Sequence, residues 1–356
     1  MIDLIAHLKR LCSAHGPSGY EDPLAALLRT EWVDLVDSFE AGALGSLVGI
    51  KNGTGAEPRR RLMLCAHIDE IGLIVHDVTD GFLHVSRLGG IDPPTLAGQP
   101  VLVHTDPPLK GVIGVAPLHT LTEKQLHEYP PLADLWVDIG LPAGDVARLV
   151  PVGTPITLDC TPIDLQGGRL TGKALDDRAC VAIVTACLEA LKGRAHSWDV
   201  LAVASTQEEV GGYGAMTEAY RLAPDLAIAL DVTFAIQPGM REGAFAFGAG
   251  VPIALGANVH PALYRALLDA AKRLEITVLP DPLPMSSGTD GMPIQVSRDG
   301  IPTALVEVAI RNMHSTVEVV EVADIARAGR LLAEFIVGLT PDFLATITWE
   351  TAVSHE

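Results

Sequence analysis

Glu208 and Glu209 stand side by side after the apolar run Val200 to Ala204, and a glycine-rich turn follows them. An exposed acidic pair by itself needs no explanation, because charged residues are mostly solvated. Other ligand-type residues stand in comparable places. His67, Asp176, Asp231 and His314 each fall at or just beyond the end of an expected strand, or at a strand-to-helix turn. Taken singly, a strand-end histidine is an ordinary hydrogen-bonded core residue, and Asp176 is an ordinary helix cap. Taken together, His67, Asp176, Glu209, Asp231 and His314 make a mixed imidazole and carboxylate set, the ligand chemistry of Zn²⁺ or Co²⁺, with Mn²⁺ also accepted. With one carboxylate bridging, such a set can hold two metals. Asp69 lies two positions after His67, on the same face of an extended chain, where it can orient the His67 ring. Glu208 projects differently from Glu209 and is left as general base to the metal-activated water. Glu208 and Asp69 are therefore the catalytic candidates.

Such residues need a parallel sheet to gather them. Strands covered by helices on both faces read as near-continuous apolar runs, and chemistry collects past their carboxyl ends. RRLMLCAH (60–67), Val200 to Ala204 and PDLAIALDV, ending at Asp231, have that texture. Helices are expected over 2–14, 22–35, 176–192, near 214–222, over 261–275 with Pro261 in its first turn, and over the closing segment from Glu321. From Gly72 to about Asp164 the pattern changes to short β-rich runs (LIVHDV, FLHVSRL, PVLVHT, GVIGVAP) punctuated by GG, DPP and P-x-G. That spacing predicts a small all-β module inserted into the α/β domain, giving catalytic segments 1–70 and 165–356 around an insert at 71–164.

The chain has 356 residues, nearly half of them apolar, enough to bury a sizeable core. A net charge of −19 argues against nucleic acid or an anionic membrane surface as a partner and suits solubility. No apolar run approaches a membrane span, and the N-terminal stretch lacks the pattern of a signal peptide. Five cysteines form no CxxC, which predicts reduced thiols and a cytoplasmic protein.

The motifs AHIDEIG (66–72), GKALDDRA (172–179), STQEEVGGYGA (205–215), ALDVT (229–233) and SGTDG (287–291), with His314-Ser315 after them, resemble the TET-type metallo-aminopeptidases. That family includes glutamyl and deblocking aminopeptidases and relatives labelled endoglucanases. The likeness covers essentially the whole chain, in the family's order. It implies a phosphorylase/hydrolase-like mixed α/β sheet flanked by helices, with an inserted PDZ-like β-barrel for dimerisation. It also implies two divalent metals per subunit. His67 and Glu209 would be terminal ligands, Asp231 and His314 would complete the set, and Asp176 would bridge, joined to Asp177 by a cis peptide. Glu208 would be the general base, the substrates peptides, and the assembly a dimer built into a tetrahedral dodecamer.

The chain departs from that pattern beside the expected substrate pocket. Gly42 and Ser46 stand where an Asp and an Asn are usual. Asn312-Met313 replaces an Arg-Tyr pair, Thr316 replaces a proline, and Ser286-Ser287 replaces glycines. Rival activities follow from the same residues. A dinuclear carboxypeptidase or N-acyl amino acid deacylase would need an arginine clamp, for which Arg178 and Arg311 are the motif candidates. A glycoside hydrolase would need two carboxylates flanking one bond and aromatic platforms, and aromatic residues make up only 4% here. A non-catalytic shell protein would use its metals for stability alone.

Overall fold

The computed structural model describes residues 2–123 and 125–347, so 348–356 of the second catalytic segment lie outside the described residues. Four parallel strands form the centre of a large mixed sheet, in the order Asp199–Ser205, Arg61–His67, Leu226–Phe234 and Thr303–Arg311. Antiparallel strands extend both sides: Leu47–Lys51 and Ser38–Ala41 beyond the first, Glu318–Glu321, Arg169–Gly172 and Ile163–Leu165 beyond the last. Val251–Gly256 and Val278–Leu283 branch from Thr303–Arg311.

The central strands are buried on both faces because alternate residues go to different cores. Leu62, Leu64 and Ala66 pack with Leu8, Leu24, Ile183 and Leu332, from helices Leu4–Ser13, Asp22–Trp32, Leu175–Ala190 and Val322–Gly338. Met63 and Cys65 pack on the opposite face with Ala215, Ala219 and Ile294, from helices Tyr213–Leu222 and Gly291–Gln295. This two-sided burial accounts for the continuous apolar runs in the sequence.

The insert is a closed barrel. Its strands run in the order Gly72–Thr79, Phe82–Leu88, Leu135–Asp138, Leu109–Val115, Pro100–Val103 and Pro155–Leu158, antiparallel throughout. Leu73 and Val75, Leu83 and Val85, and Val101 and Val103 alternate inward to fill it. The module is not wholly β, since helix Ala143–Leu149 packs Val146 into its core. Ile163–Leu165, read in sequence with the module, pairs with Arg169–Gly172 in the large sheet.

Candidate active site

His67 ends its strand, and Asp231 lies within the neighbouring strand Leu226–Phe234. Glu208 and Glu209 follow the end of Asp199–Ser205, and His314 follows the end of Thr303–Arg311. Asp176 enters from the start of Leu175–Ala190, where Asp176 and Asp177 are non-helical and joined by a cis peptide, so regular turns begin only after them. Three of these approaches pass through a non-glycine residue in the left-handed region: Ala174 (φ 55°), Gln207 (φ 60°) and His314 itself (φ 61°). Such conformations are uncommon for residues with a Cβ and gather where function holds the backbone. After the glutamates, Gly211 and Gly212 take φ of 140° and 70° and turn the chain away into helix Tyr213–Leu222.

The side chains converge on Asp176. Its Oδ1 lies 3.1 Å from His67 Nε2 and its Oδ2 lies 3.2 Å from His314 Nε2, so one carboxylate touches both imidazoles. Glu209 Oε1 is 3.5 Å from His314 Nε2, and Glu208 Oε2 is 3.9 Å from His67 Nε2. The adjacent glutamates thus reach different histidines. His67, Asp176 and Glu209 offer donor atoms within 4.8 Å of one another, as do His67, Asp177 and Asp231.

Buried groups hold this constellation. Asp69 is fully buried, with its Oδ1 3.3 Å from His67 Nδ1. The same carboxylate accepts the amide N–H of Glu208 at 3.0 Å and of Glu209 at 3.1 Å, together with the Ser18 hydroxyl at 2.6 Å. One side chain therefore orients a histidine and both glutamates. Glu318 performs the matching task on the other side, accepting from the amides of Asp176 (3.1 Å) and His314 (2.8 Å). The His314 ring donates from Nδ1 to the Gly90 carbonyl of the insert at 3.0 Å, which turns Nε2 toward Asp176. Glu318 and the Gly90 carbonyl escaped the sequence reading. A glutamate in VEVVEVAD carries no local signal, and a backbone carbonyl carries none at all.

The electrostatics describe a site with more negative groups than the protein neutralises. Burial, aided by Asp290 and Glu209, pushes Glu208 up to about 8. Burial and then Asp176 push Glu209 up to about 7. Burial and then Asp177 hold Asp231 well above the usual carboxylate range. Asp176 goes the other way, because hydrogen bonds from His314 and His67 outweigh its burial. His314 is raised to about 9, chiefly by Asp176. No lysine or arginine lines the adjoining cleft of about 860 Å³ among the described residues. Two imidazoles and several carboxylates that lack a cationic side chain fit divalent cations, both in ligand type and in charge.

The motif arginines are committed elsewhere. Arg178 is fully buried and donates to Glu70, to the carbonyls of Leu11 and Ala14, and to Ile68 O. Arg311 donates to the Ile236 carbonyl and stacks on Phe247. Neither supplies the carboxylate clamp of the rival reading. Among the departures, Met313 and Ser287 line the cleft, while Ser46 pairs with Thr206 beneath the glutamate turn. Gly42 lies so close to Glu218 that a Cβ there would come within 1.8 Å of Oε1.

An imidazole and carboxylate cluster at the head of a parallel sheet, with an inserted barrel touching one of its imidazoles, has the donor set of a metal-dependent hydrolase. Residues 45–331 match the family described as M42 glutamyl aminopeptidase, and the chain belongs to that family of metal-dependent aminopeptidases. The lysyl aminopeptidase of Pyrococcus furiosus is 31% identical over 94% of this chain and 97% of its own length. The TET aminopeptidase from the marine sediment archaeon Thaumarchaeota archaeon SCGC AB-539-E09 superposes with a TM-score of 0.91 at 29% identity, covering 97% of this chain and 99% of that one. The Pyrococcus horikoshii TET1 peptidase, which can assemble into a tetrahedron or a large octahedral shell, gives 0.82 at 28% identity, covering 95% of this chain and all of its own. No helix among the described residues is long and apolar enough to cross a membrane.

Proposed function

We propose that the chain removes single N-terminal residues from peptides, using two divalent cations per subunit held by His67, Asp176, Glu209, Asp231 and His314. Zinc and cobalt suit these ligands best, and manganese is also compatible with them. The observation that carries this reading is the Asp176 carboxylate, whose two oxygens lie 3.1 Å and 3.2 Å from different histidines, the arrangement a bridging ligand needs. Cations held there would supply Lewis acidity to the scissile carbonyl and to the attacking water. Glu208 takes the proton from that water and returns it to the leaving amine, a task its cleft position and raised pKa suit. Asp69 does not line the cleft, so it acts as a positioning residue through His67 and the two glutamate amides. The cleft's carboxylates and lack of cationic residues favour a free substrate amine over a free carboxylate or a blocked end.

Self-association through the barrel, to a dimer and onward to a tetrahedral dodecamer, goes with this reading, as does a cytoplasmic setting for five thiols that form no disulfide. The test uses aminoacyl-anilides with Zn²⁺, Co²⁺ and Mn²⁺ on protein sized by light scattering, beside an N-acetylated twin. The expected result is hydrolysis of free-amine substrates only, abolished by a chelator, from particles larger than one chain. Glu208→Gln should cut kcat by about 10²–10⁴-fold with metal content unchanged. A loss of only a few-fold would remove Glu208 as the base.

A further inference from the structure

The cleft contains a second acidic feature outside the proposed ligand set. Glu307 lies on Thr303–Arg311 and Asp281 on Val278–Leu283. Glu307 is the register partner of Asp231 in the parallel pair, so it shares that ligand's face of the sheet. Thr233, two residues beyond Asp231 on the same face, donates its hydroxyl to Asp281 Oδ2 at 3.3 Å. Both acids line the cleft, and they are 4% and 7% exposed respectively. Glu307 Oε2 has no hydrogen-bond partner. A buried polar atom left without one costs about 1–3 kcal/mol, more when it is charged. Burial and the adjacent Asp281 accordingly push the Glu307 pKa well above its usual range. The remaining wall is largely apolar, with Val232, Phe234, Leu283, Met292 and Met313.

We propose that Asp281 and Glu307 form the subsite for the side chain of the substrate's N-terminal residue and select a cationic one, lysine or arginine. The proposal rests on the aminopeptidase reading above and adds the substrate class, which the family leaves open: its description says glutamyl, while one relative is a lysyl enzyme. The chemistry of the site makes the choice. Lysine and arginine carry apolar stems that suit an apolar wall. Their heads carry only donors, matching the Asp281 carboxylate and the Glu307 oxygen that has no donor. A substrate cation takes the place of the proton that Glu307 otherwise holds against Asp281, allowing both acids to ionise. The position beside Asp231 puts the subsite next to the reacting bond, as the first residue's side chain requires.

The test measures kcat/KM on the metal-loaded enzyme for lysyl-, arginyl-, norleucyl- and glutamyl-anilides. Lysine and arginine are expected to exceed norleucine, which matches the lysine stem without the charge, by about tenfold or more, with glutamate slowest. Glu307→Gln and Asp281→Asn should each reduce the lysine-to-norleucine ratio at least about fivefold. That ratio divides out any general loss of activity. Lysinamide and norleucinamide binding, followed by calorimetry on the same proteins, separates the two proposals. Preferential lysinamide binding that both variants abolish supports the subsite even if no anilide is cleaved, in which case the aminopeptidase reading fails alone. A ratio near one in the unaltered enzyme, or one that survives both substitutions, overturns the subsite. So does a third equivalent of bound metal that disappears in Glu307→Gln, which would make the acid pair a cation site.

Discussion

Asp176 shows how one side chain sets the character of the centre. Hydrogen bonds from two imidazoles hold it ionised, while burial makes the surrounding acids favour their protonated forms. Without metal, His314 at about 9 carries its proton at pH 7, Glu208 at about 8 is mostly protonated, and Glu209 at about 7 is partly so. Ligands must shed protons to bind a cation. Adding Zn²⁺ to metal-free protein at pH 7 should therefore release about one proton or more per chain. Calorimetry in buffers of different ionisation enthalpy measures this, and heats independent of buffer would contradict the proton inventory. At the same scale, the adjacent glutamates are distinguished by reach. Glu209 lies nearest His314 and Glu208 nearest His67, although their amides share the Asp69 carboxylate.

Between elements, the junction of barrel and sheet bears directly on the site. The loop after strand Phe82–Leu88 brings the Gly90 carbonyl to the His314 ring, and a Cβ at Gly90 would stand 2.7 Å from that ring. No real Cβ tolerates that approach, so Gly90→Ala must displace the imidazole or the loop. The expected outcome is a loss of at least about tenfold in kcat, with reduced metal retention on dialysis but an unchanged far-ultraviolet circular dichroism spectrum. Full activity in that variant would show that the insert does not position His314. The four central strands play the complementary part, because their parallel register brings His67, Asp231 and the segments carrying Glu208, Glu209 and His314 to one end of the sheet.

Across the whole molecule, a buried ionic knot joins the first helix to the catalytic turn. Glu70 accepts from Lys173 Nζ at 2.5 Å, from Arg178 Nη2 at 3.1 Å and from the Gly16 amide at 3.0 Å. Arg178 also donates to the Leu11 and Ala14 carbonyls at the end of Leu4–Ser13. Burial alone would raise the Glu70 pKa, but the two cations outweigh it and bring it from an ordinary 4.5 to about 2. A depressed folded-state pKa stabilises the protein fully above about pH 4.5, and the contribution disappears as pH falls through about 2. That depression corresponds to at most about 3 kcal/mol, since burial pulls the Lys173 pKa down and offsets part of the gain. Glu70→Gln should accordingly lose up to about 3 kcal/mol at neutral pH, and its deficit should shrink between pH 4.5 and 2 in urea unfolding. A deficit constant with pH would mean that the ion pairs contribute little beyond packing.

The proposed ligand set was legible in the chain because His67, Asp176, Glu209, Asp231 and His314 each follow local grammar: an apolar run that stops, or a turn into a helix. The same periodicity exposed the central strands and the texture of the insert, since burial on both faces or on alternate residues leaves its mark on neighbouring positions. Contacts between distant stretches leave no such mark. That Glu318 secures the amides of Asp176 and His314, that the insert's Gly90 orients His314, and that Arg178 is spent on Glu70 follow from strand order and helix packing. The pairing of Asp281 with Glu307 is of the same kind. In sequence they are two isolated acids on separate strands, and only the sheet brings both to the cleft beside Asp231. The sequence by itself thus determined the family, the fold class and the residue types proposed as ligands, because residue types and strand patterns are local properties. Tertiary structure alone decided which groups orient those side chains and which charges line the cleft, because those depend on residues that meet only after folding.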